Sequence, residues 1–266
     1  NILVTNTITP ANALEEIKQI FDELQTFQTA IKSTLTGFQA LGIEEEDLDE
    51  GQCELGYTIP REFVENKLSE LKNEIAELNF ILNNISEAVT GEKQEYEVKT
   101  ISSSDFLLYV IIGLQVADVL SNATERILNI YKGILEIKQL RNQLKEKGIP
   151  ASKTKSIETH ANGMMKDEIK KIVKEVMDEH YDGDNGRKNE LENGLTISLN
   201  KLANRIDKGF NVEIRVEPLP EPEEGEEPSP EYKHSSELIK SIQESARKIE
   251  FLDAGGESIL KLPEKK

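Results

Sequence analysis

The chain has 266 residues, of which 37% are hydrophobic, and this is enough apolar material for a folded core. Its 50 acidic residues outnumber 32 basic ones and give a formal net charge of −18, which disfavours nonspecific binding to nucleic acid or anionic lipid. Cys53 is the only cysteine, so an internal disulfide and zinc sites built from paired cysteines are excluded. We therefore expect a reducing, cytoplasmic compartment. Residues 1–10 lack the positively charged region of a signal peptide.

A first long helix is predicted from Pro10 to Gly42, because apolar residues recur there at steps of three and four. Gln28 is the polar member of this heptad-like stripe. The apolar members are Leu14, Ile17, Phe21, Leu24, Ile31, Leu35 and Phe38.

A second helix is predicted after Pro60, with the same spacing from Val64 until Gly91. The acidic run 44–50, followed by two glycines, predicts a loop between the two helices. Two helices of similar length joined by a loop predict an antiparallel hairpin.

The longest predicted helix extends from Ser102 to Gly148 and includes the apolar block Phe106–Leu114. A short strand is predicted just before it, at Tyr96–Ile101, from the alternation of polar and apolar residues. A second alternating stretch, 211–216, predicts another strand that pairs with the first.

Two further helices are expected at Ser152–Tyr181 and Arg187–Phe210, the former interrupted at Asn162-Gly163. The stretch 217–231, rich in proline and glutamate, predicts a flexible linker. A short amphipathic helix is predicted at Ser235–Leu252, capped by Ser235 or Ser236, with 259–262 as an edge strand.

The predicted fold is therefore mainly α: an elongated bundle of about five long helices with a small β element, an acidic linker and a short C-terminal helix. The predicted divisions are a bundle with minor strands at 1–216, the linker at 217–234 and the C-terminal helix with its edge strand at 235–266.

The apolar block gives one candidate contact surface. A long bundle that conceals one apolar helix is the layout of α-helical pore-forming toxins, and the chain is similar to them in that layout alone. Because Gln115 and Asp118 interrupt a run far shorter than the ~20 residues of a membrane span, we favour a buried helix. The candidate partner or membrane contacts are Phe106, Leu107, Tyr109, Val110, Ile111, Leu114, Leu238, Ile242 and Ile249.

No catalytic, cofactor or metal signature is found in the sequence. The acidic loop Asp178–Gly186 carries many oxygen ligands, but Asn189 occupies the twelfth position where a calcium loop needs glutamate. We expect a solvated turn there, no cofactor and no enzyme activity.

A basic cluster around the end of the third predicted helix suggests that the acidic linker could shield it, although two separately solvated segments are favoured. Its members are Lys132, Lys138, Arg141, Lys145, Lys147, Lys153 and Lys155.

The leading functional expectation is a nonenzymatic helical interaction or scaffold protein that binds protein partners or itself. The alternative is a membrane-active bundle, which the net charge disfavours; nucleic acid is not expected as a partner.

Overall fold

The computed structural model describes residues 10–42, 48–102, 106–222, 227–254 and 256–265. The chain divides into two compact units, Asn1–Asp47 and Leu48–Lys266. Within the described residues, the first unit holds one long helix and the second holds five helices and a four-stranded sheet. The predicted mainly α fold with a small β element is confirmed. The predicted divisions at 217 and 235 both fall inside the second unit.

The helix of the first unit is α1 (Pro10–Ala40). The helices of the second unit are α2 (Leu68–Thr90), α3 (Leu114–Glu146), α4 (Ala151–His180), α5 (Asn185–Ile206) and α6 (Pro230–Ala246). Its strands are β1 (Cys53–Ile59), β2 (Val98–Ser102), β3 (Phe106–Ile112) and β4 (Asn211–Val216).

The sheet is antiparallel throughout, in the order β2-β3-β1-β4. Along β1 every second side chain, from Cys53 to Ile59, is almost fully buried. Three of these side chains lie opposite buried positions of β3, as Leu55 does opposite Val110. Helix α3 packs against β1 and β4, and α6 packs against α3 and β4. The sheet therefore closes one side of a bundle in which α2, α3, α4 and α5 share a single hydrophobic core.

The long helix predicted from Ser102 does not form, because Phe106–Ile112 is an inner strand and α3 begins only at Leu114. Gly113 has extended backbone geometry at the junction. A short, continuous apolar run suits a buried strand as well as a buried helix, and β-branched residues at its end favour the strand. Residues 103–105, which the sequence placed in the first turn of this helix, lie outside the described residues.

The segment predicted as a loop between the first two helices contains β1, so α1 and α2 are not consecutive elements and the simple connection from which the hairpin was predicted is wrong. Helix α2 begins at Leu68 rather than after Pro60, because turns occupy the preceding segment and Glu65 and Asn66 adopt positive φ. Within its own unit, helix α2 packs against α5, α3 and α4.

Both predicted strands exist, but they do not pair with each other. Strand β2 pairs with β3, and β4 pairs with β1. Helix α4 runs through Asn162-Gly163 without the predicted interruption. Helix α6 begins earlier than predicted, where Ser229 accepts a hydrogen bond from the Tyr232 amide at 3.1 Å and Pro230 occupies the first turn.

Candidate functional site

The first candidate surface is one side of α1. Every described side chain from 11 to 40 except Ala13 is exposed. Nine large apolar side chains on this helix are each between 43% and 63% exposed, and we call them the α1 apolar face. They are Leu14, Ile17, Ile20, Phe21, Leu24, Phe27, Ile31, Leu35 and Phe38.

Heptad spacing explains why these side chains share one face. Steps of three and four residues place Leu14, Phe21, Gln28 and Leu35 in one column of the helix surface. The column beside it holds Ile17, Leu24, Ile31 and Phe38, and Ile20 and Phe27 widen the stripe. The opposite side is polar, with Gln19 bonded to Glu23 at 3.0 Å. The helix is thus strongly two-sided, with its apolar side open to solvent.

The second candidate site is a cradle for the segment after α6, residues 256–264, which we call the tail. The tail forms no strand, so the predicted edge strand at 259–262 is wrong. The backbone N–H groups of residues 259–262 donate instead to side-chain oxygens of Asn162, Asn204 and Asp207. The side chains of Ile259, Leu260 and Leu262 are at most 4% exposed, whereas Lys261 points to solvent.

Asp207, at the end of α5, is the centre of the cradle. Its Oδ2 accepts the N–H groups of Ile259 at 2.6 Å and Leu260 at 2.7 Å. Its Oδ1 accepts from the Tyr131 hydroxyl at 2.8 Å and from Lys138 Nζ at 3.0 Å. The Lys138 and Asp207 side chains are fully buried, so the carboxylate carries four partners and a paired charge.

Two asparagines bind the tail through both the donor and the acceptor of their amides. Asn204 accepts from the Leu262 N–H and donates to the Leu262 carbonyl, each at 3.0 Å. Asn162 of α4 accepts from the Lys261 N–H at 2.7 Å and donates to the Ile259 carbonyl at 3.0 Å. This pattern matches a peptide group and is indifferent to the side chain of the residue bound.

Charged side chains hold both ends of the tail. At its start, Arg141 donates to the Ser258 carbonyl at 3.2 Å, and Lys145 pairs with the Glu257 carboxylate. At its far end, Glu264 accepts from Asn204 at 2.7 Å and lies 3.9 Å from Lys201. The cradle thus fits a peptide segment with an apolar middle and a carboxylate near each end.

Helical spacing brings these side chains together. Tyr131, Lys138, Arg141 and Lys145 lie on one face of α3, at steps of seven, three and four residues. Asn204 and Asp207 share a face of α5 in the same way. Sequence analysis missed the cradle because its parts come from three helices and a distant tail; the available signal was Lys138 and Arg141 inside an otherwise apolar stripe.

Its buried surroundings keep the Tyr131 hydroxyl of the cradle protonated. Burial, and then the charge of Asp207, raise the pKa of the Tyr131 hydroxyl well above its usual range. Tyr131 therefore remains a hydroxyl donor to Asp207 at all ordinary pH values. The arrangement binds and orients a peptide backbone, and every polar atom of Asp207 is already engaged.

The basic cluster has a different partner from the predicted linker. Lys138 and Arg141 are buried in the cradle rather than solvated. Lys132 pairs with Glu250 at 3.0 Å, and Lys145 pairs with Glu257. The acidic partners of the cluster therefore come from the segment after α6, from Asp207 at the end of α5 and from Glu158 of α4, which lies 3.2 Å from Arg141. The predicted flexibility of 217–231 stays a prediction, and 223–226 lie outside the described residues.

The predicted contact residues are divided among interior and half-buried positions. On β3, Val110 is buried and its four predicted neighbours Phe106, Leu107, Tyr109 and Ile111 are half-buried. Leu114 starts α3 and is half-buried. Ile242 is fully buried in the core, and Leu238 and Ile249 are half-buried. The structure therefore spreads them over β3, α3, α6 and, for Ile249, the segment after α6, and their roles as contacts stay predictions.

Two carboxylates of the acidic stretch Asp178–Gly186 bind other groups of the protein. Asp178 pairs with Lys188 at 3.0 Å, and Asp184 caps α5 by accepting from the Arg187 N–H at 3.0 Å. Across the described ranges, no three His, Cys, Asp or Glu side chains converge in a way that could hold a metal ion.

None of the helices in the described part of the chain combines the length and the apolar character needed to cross a membrane. The premise of the membrane-active alternative was wrong, because the apolar block is a strand paired on both edges.

Comparison with known proteins yields no match to a family model, to a curated protein or to a solved structure.

Proposed function

We propose that the protein is a nonenzymatic interaction protein of the cytoplasm that assembles with itself through the α1 apolar face. The observation that carries this proposal is the exposure of nine large apolar side chains on one side of a single 31-residue helix. A continuous apolar surface of this kind marks an interaction site, since its exposure to water is unfavourable.

The occupant we propose is α1 of a second copy. Eight consecutive seam positions of α1, from Leu14 to Phe38, follow the heptad repeat, which is the pattern that packs identical helices knobs-into-holes. A parallel, in-register pair brings Gln28 opposite Gln28, where the two amides can hydrogen-bond. Any shift of register places each Gln28 against an apolar residue, so the polar position selects one alignment.

The width of the face favours more than two helices. Ile20 and Phe27 add a third apolar column beside the two seam columns. A two-helix coiled coil leaves that column at its rim, whereas a bundle of three or more helices buries it. We therefore propose a parallel α1 bundle that displays several copies of the Leu48–Lys266 unit.

Disulfide trapping tests the alignment. Ile31→Cys introduces a thiol in the seam, and Ser33→Cys introduces one on the polar side two residues away. We expect Ile31→Cys to form a covalent dimer rapidly under mild oxidation, because in-register helices bring identical seam positions together. Ser33→Cys is the matched control and should remain monomeric on a denaturing gel. Equal yields from the two variants, or none from either, would contradict the proposal.

A further inference from the structure

The tail is held differently from an ordinary packed segment. Its contacts are hydrogen bonds from buried polar side chains to its backbone, together with apolar pockets for Ile259, Leu260 and Leu262. Replacing a buried ion pair by apolar residues of similar volume often leaves a protein equally or more stable, so the polar lining of the cradle suits recognition of a peptide backbone.

The side chains that bind the tail depend on an occupant. Without the tail, Asp207 loses two N–H donors and Asn204 loses partners for both its carbonyl and its amide. Unpaired buried polar groups are strongly unfavourable, so an empty cradle should bind any peptide that restores those partners.

The path into the cradle combines exposed side chains with several anchors: Ile249 and Leu252 pack against the core, Glu250 pairs with Lys132, and Lys138 donates to the Ala254 carbonyl. Between the end of α6 and the tail, Lys248, Glu250, Phe251 and Asp253 are exposed. Gly256 then takes a left-handed conformation, φ +84°, where the chain turns into the cradle. Exposed, irregular backbone of this kind opens locally more readily than the helices around it.

We propose that the cradle is a peptide-binding site whose resident ligand is the chain's own tail, and that the same segment of a second copy replaces it in trans. The recognised pattern is an Ile-Leu-x-Leu-Pro core, with carboxylates seven positions apart at Glu257 and Glu264. Charge complementarity supports this occupant, because Arg141 and Lys145 lie at one end and Lys201 lies at the other. This exchange is independent of the α1 apolar face.

The first test uses the intact, isotopically labelled chain. A synthetic peptide of residues 251–265 is titrated in, and the backbone amide signals of Leu260 and Leu262 are followed by NMR. We expect both to move toward random-coil positions as the peptide takes over the cradle. A control peptide with aspartate at positions 259, 260 and 262 should leave them unchanged. Unchanged signals at saturating wild-type peptide would overturn the proposal.

The second test uses complementation between two full-length variants, each also carrying Leu24→Glu to disable the α1 apolar face. Leu260→Asp prevents the tail from binding but leaves the cradle intact. Asn204→Ala weakens the cradle but leaves the tail intact. We expect the mixture to form a 1:1 complex that neither variant forms alone. Labelled peptide should bind the Leu260→Asp chain at least about tenfold more tightly than the chain that also carries Asn204→Ala.

Lys261→Ala is the matched control, because this tail side chain points to solvent. It should neither open the cradle nor support complementation. Folded variants, verified by circular dichroism, that stay separate on mixing would contradict the exchange. A failure of the Ile31→Cys trap alongside successful complementation would leave the tail exchange standing and remove the α1 proposal.

Discussion

Cys53 shows how a single buried side chain is kept inert. The thiol lies in β1 with no solvent exposure, and burial followed by the nearby charge of Asp118 raises its pKa to about 12. Nucleophilic reactivity belongs to the thiolate, so a folded chain keeps this group in its unreactive form at neutral pH.

We therefore expect the native protein to resist iodoacetamide at neutral pH, whereas the exposed thiol of the Ser33→Cys variant, on the polar side of α1, reacts within the same time. Mass spectrometry of the intact chain measures both.

Because the folded pKa of the Cys53 thiol lies above the ordinary value of 9.0, unfolding releases a proton above that pH. Stability should thus decline as pH rises from about 9 toward 12, and rapid native alkylation would contradict this account of Cys53.

The Lys138–Asp207 pair illustrates how much depends on a paired charge. Lys138→Met leaves Asp207 buried without its cationic partner, and we expect the free energy of unfolding to fall by about 3–5 kcal/mol. Lys145→Met is the matched control on the same helix, since its partner Glu257 is exposed and the expected loss is about 0–1 kcal/mol. Urea titrations of both variants compare the two losses. Similar losses would show that burial of the pair is not what matters.

At the scale of elements, Gln28, the polar residue in the apolar seam of α1, leads to a separate prediction. Gln28→Ile replaces a polar seam residue with an apolar one, so the assembly should become more stable by about 1.5–3 kcal/mol per chain. It should also lose its single stoichiometry, because no polar position then selects the register. Sedimentation velocity measures both properties. Gln19→Ile, on the polar side of the same helix, should change neither.

Helices were more predictable from the sequence than strands. Each long helix repeats its periodicity over many turns, and α5 follows its predicted bounds closely. Strand β3 is seven continuous apolar residues, which carry no period that separates strand from helix. Strand β1 contains Glu54 and Gly56, which resemble loop residues until the structure pairs Glu54 with Arg215.

The two candidate sites also differ in how far the sequence alone predicts them. Seven of the nine residues of the α1 apolar face were predicted from spacing within one helix, whereas Ile20, Phe27 and the exposure of the face come from the structure. The cradle depends on contacts between residues more than 50 positions apart, as between Asp207 and Ile259. No local sequence pattern predicts a contact between such distant residues. The contact results from the packing of α3 and α4 against α5.

At the scale of the whole molecule, the two units have separate tasks. The Leu48–Lys266 unit buries a continuous core and fills its own cradle, whereas α1 leaves its apolar face open. We therefore expect Leu24→Glu to abolish assembly without changing the urea midpoint of the larger unit. A lowered midpoint would mean that α1 contributes to the fold of that unit.

The most direct test of self-association is the solution mass of the full-length chain by light scattering over a concentration series, compared with Leu24→Glu and Thr26→Glu. We predict an oligomer for the wild type and for Thr26→Glu, which alters the polar side of α1, and a 30.0 kDa monomer for Leu24→Glu. A wild-type chain that remains a monomer at every concentration, or an oligomer that Leu24→Glu leaves intact, would contradict assembly through α1.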